Sequence, residues 1–189
     1  LEIAVDIGHR DRRRGAEPQA DLVHAVMGEL EVGRLRTMGY TVAIDVPYQT
    51  YRFGGRADVI AWRHDPPALL HIENRTRFPN LQEAAGAWNA KCEFLGDVLA
   101  RRFGVRAWER ETHVLACLWS RELTVVLRQF GETFRSIAPD PPSTFDAWLY
   151  GRVEGRGRDR TLVLIDPLRL PKRAGLPGLD RSEEHTSEL

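Results

Sequence analysis

The chain has 189 residues, 42% of them hydrophobic and 29% charged, and a formal net charge of zero at pH 7. That length suits one domain with a substantial core and is short for two, and the balanced charge excludes a global basic field for nucleic acid. The sequence shows no signal-like apolar stretch near Leu1 and no run long enough for a membrane span, so a cytoplasmic protein without a membrane partner is expected.

Leu1 to Ile7 alternate apolar and polar residues with the period of a half-buried strand, and residues 8 to 19 are polar and Gly/Pro-containing, as in a loop. From about Ala20 to Met38, Leu22, Val23, Val26, Met27 and Leu30 recur at helical spacing, with Gly39 as a C′ residue. Three strand-like runs follow: "YTVAIDVPY" (40–48), "ADVIAW" (57–62) and "ALLHIENR" (68–75). The last two are joined by "RHDPP", whose prolines cannot continue a ladder, so an antiparallel meander is predicted. Asn80 with Glu83 three residues later forms a capping-box pattern. The helix it opens carries the stripe Leu81, Ala85, Trp88, Cys92, Leu95 and Leu99 and runs to about Phe103. "THVLACLW" (112–119) reads as a strand buried on both faces. A helix over about 121–134, a Pro-rich loop, a short helix around "TFDAWLY" and a last strand "TLVLID" (161–166) complete the order. The fold class is α/β, with a mixed sheet that contains the meander and is flanked by helices.

The basic runs "RDRRR" (10–14) and "RGRDR" (156–160) read as solvated loops. Cys92 and Cys117 lack metal-type spacing and are expected to be reduced thiols. The five tryptophans are scattered and suggest core and rim sites, not a stacking platform. Lysine occurs only at Lys91 and Lys172, the remaining basic residues being arginine, a bias typical of GC-rich coding. "RSEEHTSEL" (181–189) resembles the translation of a sequencing-library adapter, and residues 171–180 read as a linker, which leaves 1–170 for the domain.

Chemistry concentrates in the hairpin. A turn centred between Asp65 and Pro66 sets Trp62 opposite Leu69, Ile60 opposite His71 and Asp58 opposite Glu73, with the carboxylates' Cβ atoms about 5 Å apart. Opposed carboxylates repel unless a proton or cation lies between them, and all-oxygen ligands suit Mg²⁺ or Mn²⁺. Arg75 projects from the same strand face as Glu73 and is placed to meet an anion held there. An acid, then Glu-x-basic on the next strand, is the layout of metal-assisted phosphodiester cleavage. The bland alternative is a set of ion pairs between Asp58 and Glu73 and the arginines Arg56 and Arg75.

"YRFGGRADVIAW" (51–62) and "LLHIENRTRFPNLQEAAGAWNAK" (69–91) resemble the PD-(D/E)XK restriction-endonuclease-like domain found C-terminal to helix-turn-helix transcription regulators of GC-rich bacteria. Tyr51, Gly55, Asp58, Ala61 and Trp62 match one stretch, and Glu73, Thr76, Leu81, Gln82, Gly86 and Lys91 fit the other. The resemblance is most specific over residues 39–92. It implies a restriction-endonuclease-like core, a DNA partner, a helix-turn-helix module missing upstream, and a Mg²⁺- or Mn²⁺-dependent nuclease. Asp58 and Glu73 would then be the metal ligands, and Arg75 and Lys91 the cationic catalytic groups. The chain departs from the pattern at Arg75 (for Lys), Asn74 (for an apolar residue), Asn89 (for Asp) and His71 (for Val). Arginine neutralises a phosphate but does not deprotonate water near neutral pH, so an amine would have to come from Lys91. The departures keep open a non-catalytic DNA- or partner-binding domain. Glu29 and Glu31 are both candidates for an acid from the first helix, and His71 and Gln82 for lesser contacts with the site.

Overall fold

The computed structural model describes residues 18–51 and 53–167. The expected first strand (1–7), the basic run at 10–14 and the segments 171–180 and 181–189 lie outside the described residues. In chain order the elements are α1 (Pro18–Thr37), β1 (Thr41–Gln49), β2 (Gly54–His64), β3 (Pro67–Arg75), α2 (Leu81–Phe103), β4 (Arg110–Leu118), α3 (Arg121–Gln129), α4 (Gly131–Ile137), α5 (Ser143–Leu149) and β5 (Gly157–Ile165). They build a five-stranded mixed sheet in the order β1-β2-β3-β4-β5. The first three strands are the antiparallel meander, and β3, β4 and β5 run parallel. Parallel neighbours need crossovers, which α2 supplies between β3 and β4, and α3 to α5 between β4 and β5.

Helices cover both faces, so β3 and β4 are buried along their whole interior and read as continuous apolar runs. One face packs Val59, Ala61, Leu70, Ile72 and Val114 against Met27 and Leu35 of α1 and Trp148 of α5. The other packs Ile60 and Leu69 against Leu95 and Leu99 of α2, and Leu115 and Cys117 against Trp88, Cys92 and the α3–α4 residues Leu123 and Phe134. Cys92 and Cys117 are buried free thiols. Among the described residues no helix is long and apolar enough to cross a membrane.

Local signals explain the boundaries. Gly39, at φ +85°, ends α1 in the left-handed region that a side chain would disfavour. Asn80 caps α2 by accepting the Glu83 N–H at 3.1 Å, and Gly104, at φ +69°, closes the helix.

Three expectations need correction. In α1 the buried row is Met27, Glu31 and Leu35, whereas Leu22, Val26 and Leu30 are exposed (66%, 40% and 37%). The sequence row looked right because it is apolar, but the helix turns an acid inward instead. The helix expected over 121–134 is two helices that break at Phe130. The run 156–160 is not a loop: Gly157 to Arg160 begin β5, because Arg158 pairs with the largely buried Glu111 of the neighbouring strand.

Candidate active site at the divergence of β2 and β3

The β2–β3 register is the expected one, with Trp62 opposite Leu69 and Ile60 opposite His71. The ladder ends at Val59 and Ile72. There Asp58 replaces a backbone carbonyl as the acceptor, its Oδ2 taking the Asn74 N–H at 2.8 Å. The same Oδ2 lies 3.4 Å from His24 Nε2 of α1, and that hydrogen bond raises the His24 pKa. The two carboxylates therefore do not simply face one another; each has its own partners.

Glu73 is buried (2% exposed) and ringed by donors. Arg75 Nη2 reaches its Oε1 at 2.7 Å, Lys91 Nζ pairs with its Oε2, and His71 Nε2 stands 3.3 Å from the same oxygen. Lys91 also donates to the Arg56 carbonyl at 2.7 Å, which fixes the amine between β2 and β3. Burial pushes the Glu73 carboxyl up, but the His71 hydrogen bond and the charges of Lys91 and Arg75 outweigh it and hold the group at about 2. The alternative pairing survives only in part: Arg75 pairs with Glu73, whereas Arg56 pairs with Asp45, not Asp58.

Of the two acids on α1, Glu31 is the one at the site. It is 4% exposed and its Oε2 accepts from Asn74 Nδ2 at 3.0 Å, whereas Glu29 faces solvent. Burial raises the Glu31 carboxyl to about 8. Glu31 Oε1 and Asn74 Oδ1 are buried acceptors with no donor among the described residues. One proton on Glu31 would satisfy both oxygens by completing an acid–amide pair; a bound cation is the other way to do so. Gln82 is exposed in the first turn of α2.

Behind Glu73 runs a buried polar chain that the sequence reading missed. His71 Nδ1 lies 3.2 Å from His113 Nδ1, and His113 Nε2 lies 3.6 Å from Glu111 Oε2, which Arg158 holds from the far side. Trp88 stacks on His71 with ring centroids 5.8 Å apart. Burial lowers the pKa of both histidines, that of His113 to about 4. With both rings neutral, if His71 donates to Glu73, then His113 must donate to His71 and present a bare Nε2 to Glu111. The geometry agrees, since His113 Nε2 and Glu111 Oε2, 3.6 Å apart, make no hydrogen bond with one another. The register pairing His71 with His113 was the only available signal, and it depends on a parallel β3–β4 neighbourhood that no local pattern announces.

Among the described residues no three His, Cys, Asp or Glu side chains converge as a ready metal cage. Mg²⁺ does not require one, because it is commonly held by one or two carboxylates with water and substrate oxygens completing the shell. Asp58, Glu73 and the donorless oxygens of Glu31 and Asn74 offer oxygen ligands only, which is the chemistry that a hard divalent cation takes. No protein-family model matches the chain, and no curated protein matches it.

Proposed function

We propose that this chain is a restriction-endonuclease-like domain of PD-(D/E)XK type that cleaves DNA phosphodiester bonds with Mg²⁺ or Mn²⁺. The observation that carries this reading is Lys91 Nζ on Glu73 beside Asp58, which joins an acid from β2, an acid from β3 and an amine from α2 at one corner of the sheet. The amine arrives from the helix that follows the motif strand, while the motif's own lysine position holds Arg75.

Asp58 and Glu73 would hold the cation. When bound, it supplies Lewis acidity toward the phosphate and the attacking water. Arg75, about a quarter exposed, neutralises phosphate charge at the rim. Lys91 sits against Glu73 and leaves that carboxylate only by exchanging its charge for another cation's. Asn74 fixes the strand divergence by donating its backbone N–H to Asp58 and its side-chain amide to Glu31.

A second reading has its own support. Glu73 already receives three donors and Arg75 replaces a lysine, as in a closed ion-pair cluster that binds DNA or a protein partner without cutting, within a helix-turn-helix regulator. Thermal unfolding with and without Mn²⁺ separates the two. At ten times its dissociation constant a bound cation adds about 1.4 kcal/mol, a rise of about 3–6 °C for a domain of this size. Asp58→Asn keeps an acceptor for the Asn74 N–H and should lose that rise. Equal shifts for wild type and Asp58→Asn would leave the non-catalytic reading.

A further inference from the structure

Trp119, immediately past the C-terminal end of β4, is 63% exposed and, among the described residues, makes no ring contact. Its backbone N–H donates to the Ile165 carbonyl at 2.7 Å, so the ring is carried on the sheet and not on a free loop. It forms one wall of a cleft of about 540 Å³, completed by Leu164, Leu127 and the side chains of Arg128 and Arg135. Arg128 has no acidic partner among the described residues, and Arg135 pairs with the exposed Glu132.

The position of this cleft relative to the candidate site follows from the register. Arg75 is beside Cys117, and Cys117 beside Leu164, so all three side chains leave the same face in one row. Strands lie about 4.8 Å apart, which sets Leu164 roughly 10 Å from Arg75 at the level of the backbone. Cys117 itself is buried beneath α2, α3 and α4, so a strand whose phosphate meets Arg75 would reach the cleft across the C-terminal ends of β3 and β4, within a few nucleotides.

We propose that this cleft binds a nucleotide of a single-stranded nucleic acid, with the base against Trp119 and Leu164 and a phosphate at Arg128 and Arg135. The proposal rests on the nuclease reading for the path of the strand, and it adds the kind of substrate: DNA whose bases are unpaired on one side of the cut. An isolated aromatic face beside guanidinium groups is the usual platform for an unpaired base, whereas a base inside a duplex has both faces already stacked.

The test is fluorescence anisotropy of labelled oligo(dT) and of a matched duplex, in EDTA so that no cleavage intervenes, at low salt. Wild type should bind oligo(dT) more tightly than duplex. Trp119→Ala should weaken oligo(dT) binding about tenfold, and Trp119→Phe should retain most of it. Arg128→Ala should reduce the dependence of affinity on salt. A wild type that binds oligo(dT) in EDTA but does not cut it once Mg²⁺ or Mn²⁺ is supplied sinks the nuclease reading and leaves the cleft standing. Equal oligo(dT) affinities for wild type and Trp119→Ala, or no binding by wild type, overturn the proposal. So does Trp119-dependent self-association without DNA binding, seen by sedimentation, which would make the cleft a protein interface.

Discussion

Lys91 of α2 and Glu73 of β3, 18 residues apart in the chain, form an ion pair in which both side chains are nearly buried. Removing one partner of such a pair leaves an uncompensated charge in a poorly solvated place, at a cost of about 3–5 kcal/mol. Lys91→Met should lose about that much in urea unfolding, moderated by Arg75 and His71, which still face Glu73. Adding Glu73→Gln should recover part of the loss, and Glu73→Gln alone should also destabilise because it strands the amine. Losses below about 1 kcal/mol in both single variants would mean that the pair is solvated and weak.

Glu31 gives a pH signature. Burial raises its folded pKa to about 8 from an ordinary 4.5, so the native state keeps a proton that the unfolded chain releases between those values. Its contribution is complete below 4.5, declines as pH rises and is lost above about 8. Glu31→Gln mimics the protonated acid, and its side-chain amide can donate to Asn74 Oδ1. The variant should match wild type in mild acid and be the more stable of the two in mild alkali. Parallel stability curves for the two proteins across that window would show that Glu31 is ionised in the fold.

His113 gives the opposite slope. Burial depresses its folded pKa from 6.5 to about 4, so the unfolded chain takes up the proton first as pH falls. Stability is therefore lost on acidification from 6.5 toward 4. His113→Gln, which retains a donor toward His71, should shift acid unfolding to lower pH. In wild type, ¹⁵N shifts should show His113 protonated at Nδ1 with a bare Nε2. An imidazolium at neutral pH would contradict that assignment.

Much of this architecture is legible in local chemistry. The Asp65–Pro66 turn sets the β2–β3 register, and Asn80 with Glu83 starts α2 where capping demands. Lys91 stands out at the edge of an apolar stripe, but its partner depends on how α2 crosses the sheet. The missed features are those in which tertiary contacts override periodicity. α1 buries Glu31 instead of Leu22, Val26 and Leu30, because the buried Asn74 amide offers the acid a hydrogen bond that no apolar residue could accept. Asp58 faces the end of a ladder, so its strongest bond is to a backbone N–H that side-chain pairing rules ignore. Arg158 reads in sequence as part of a solvated basic run because Glu111, which pairs with it, lies on a strand 47 residues earlier. In sequence Trp119 reads as one more core or rim tryptophan, and only its place past the C-terminal end of β4 shows that its face is open.

The most direct test of a nuclease built on Asp58, Glu73 and Lys91 is cleavage of plasmid and single-stranded DNA in Mg²⁺ or Mn²⁺, with Asp58→Asn purified in parallel. Metal-dependent cleavage by wild type should fall to background in Asp58→Asn, which keeps the backbone contact of Asp58 but removes its charge. In Arg75→Lys, where the cation is conserved, cleavage should persist. Equal cleavage by wild type and Asp58→Asn, or none by wild type with either metal on either substrate, would contradict the assignment.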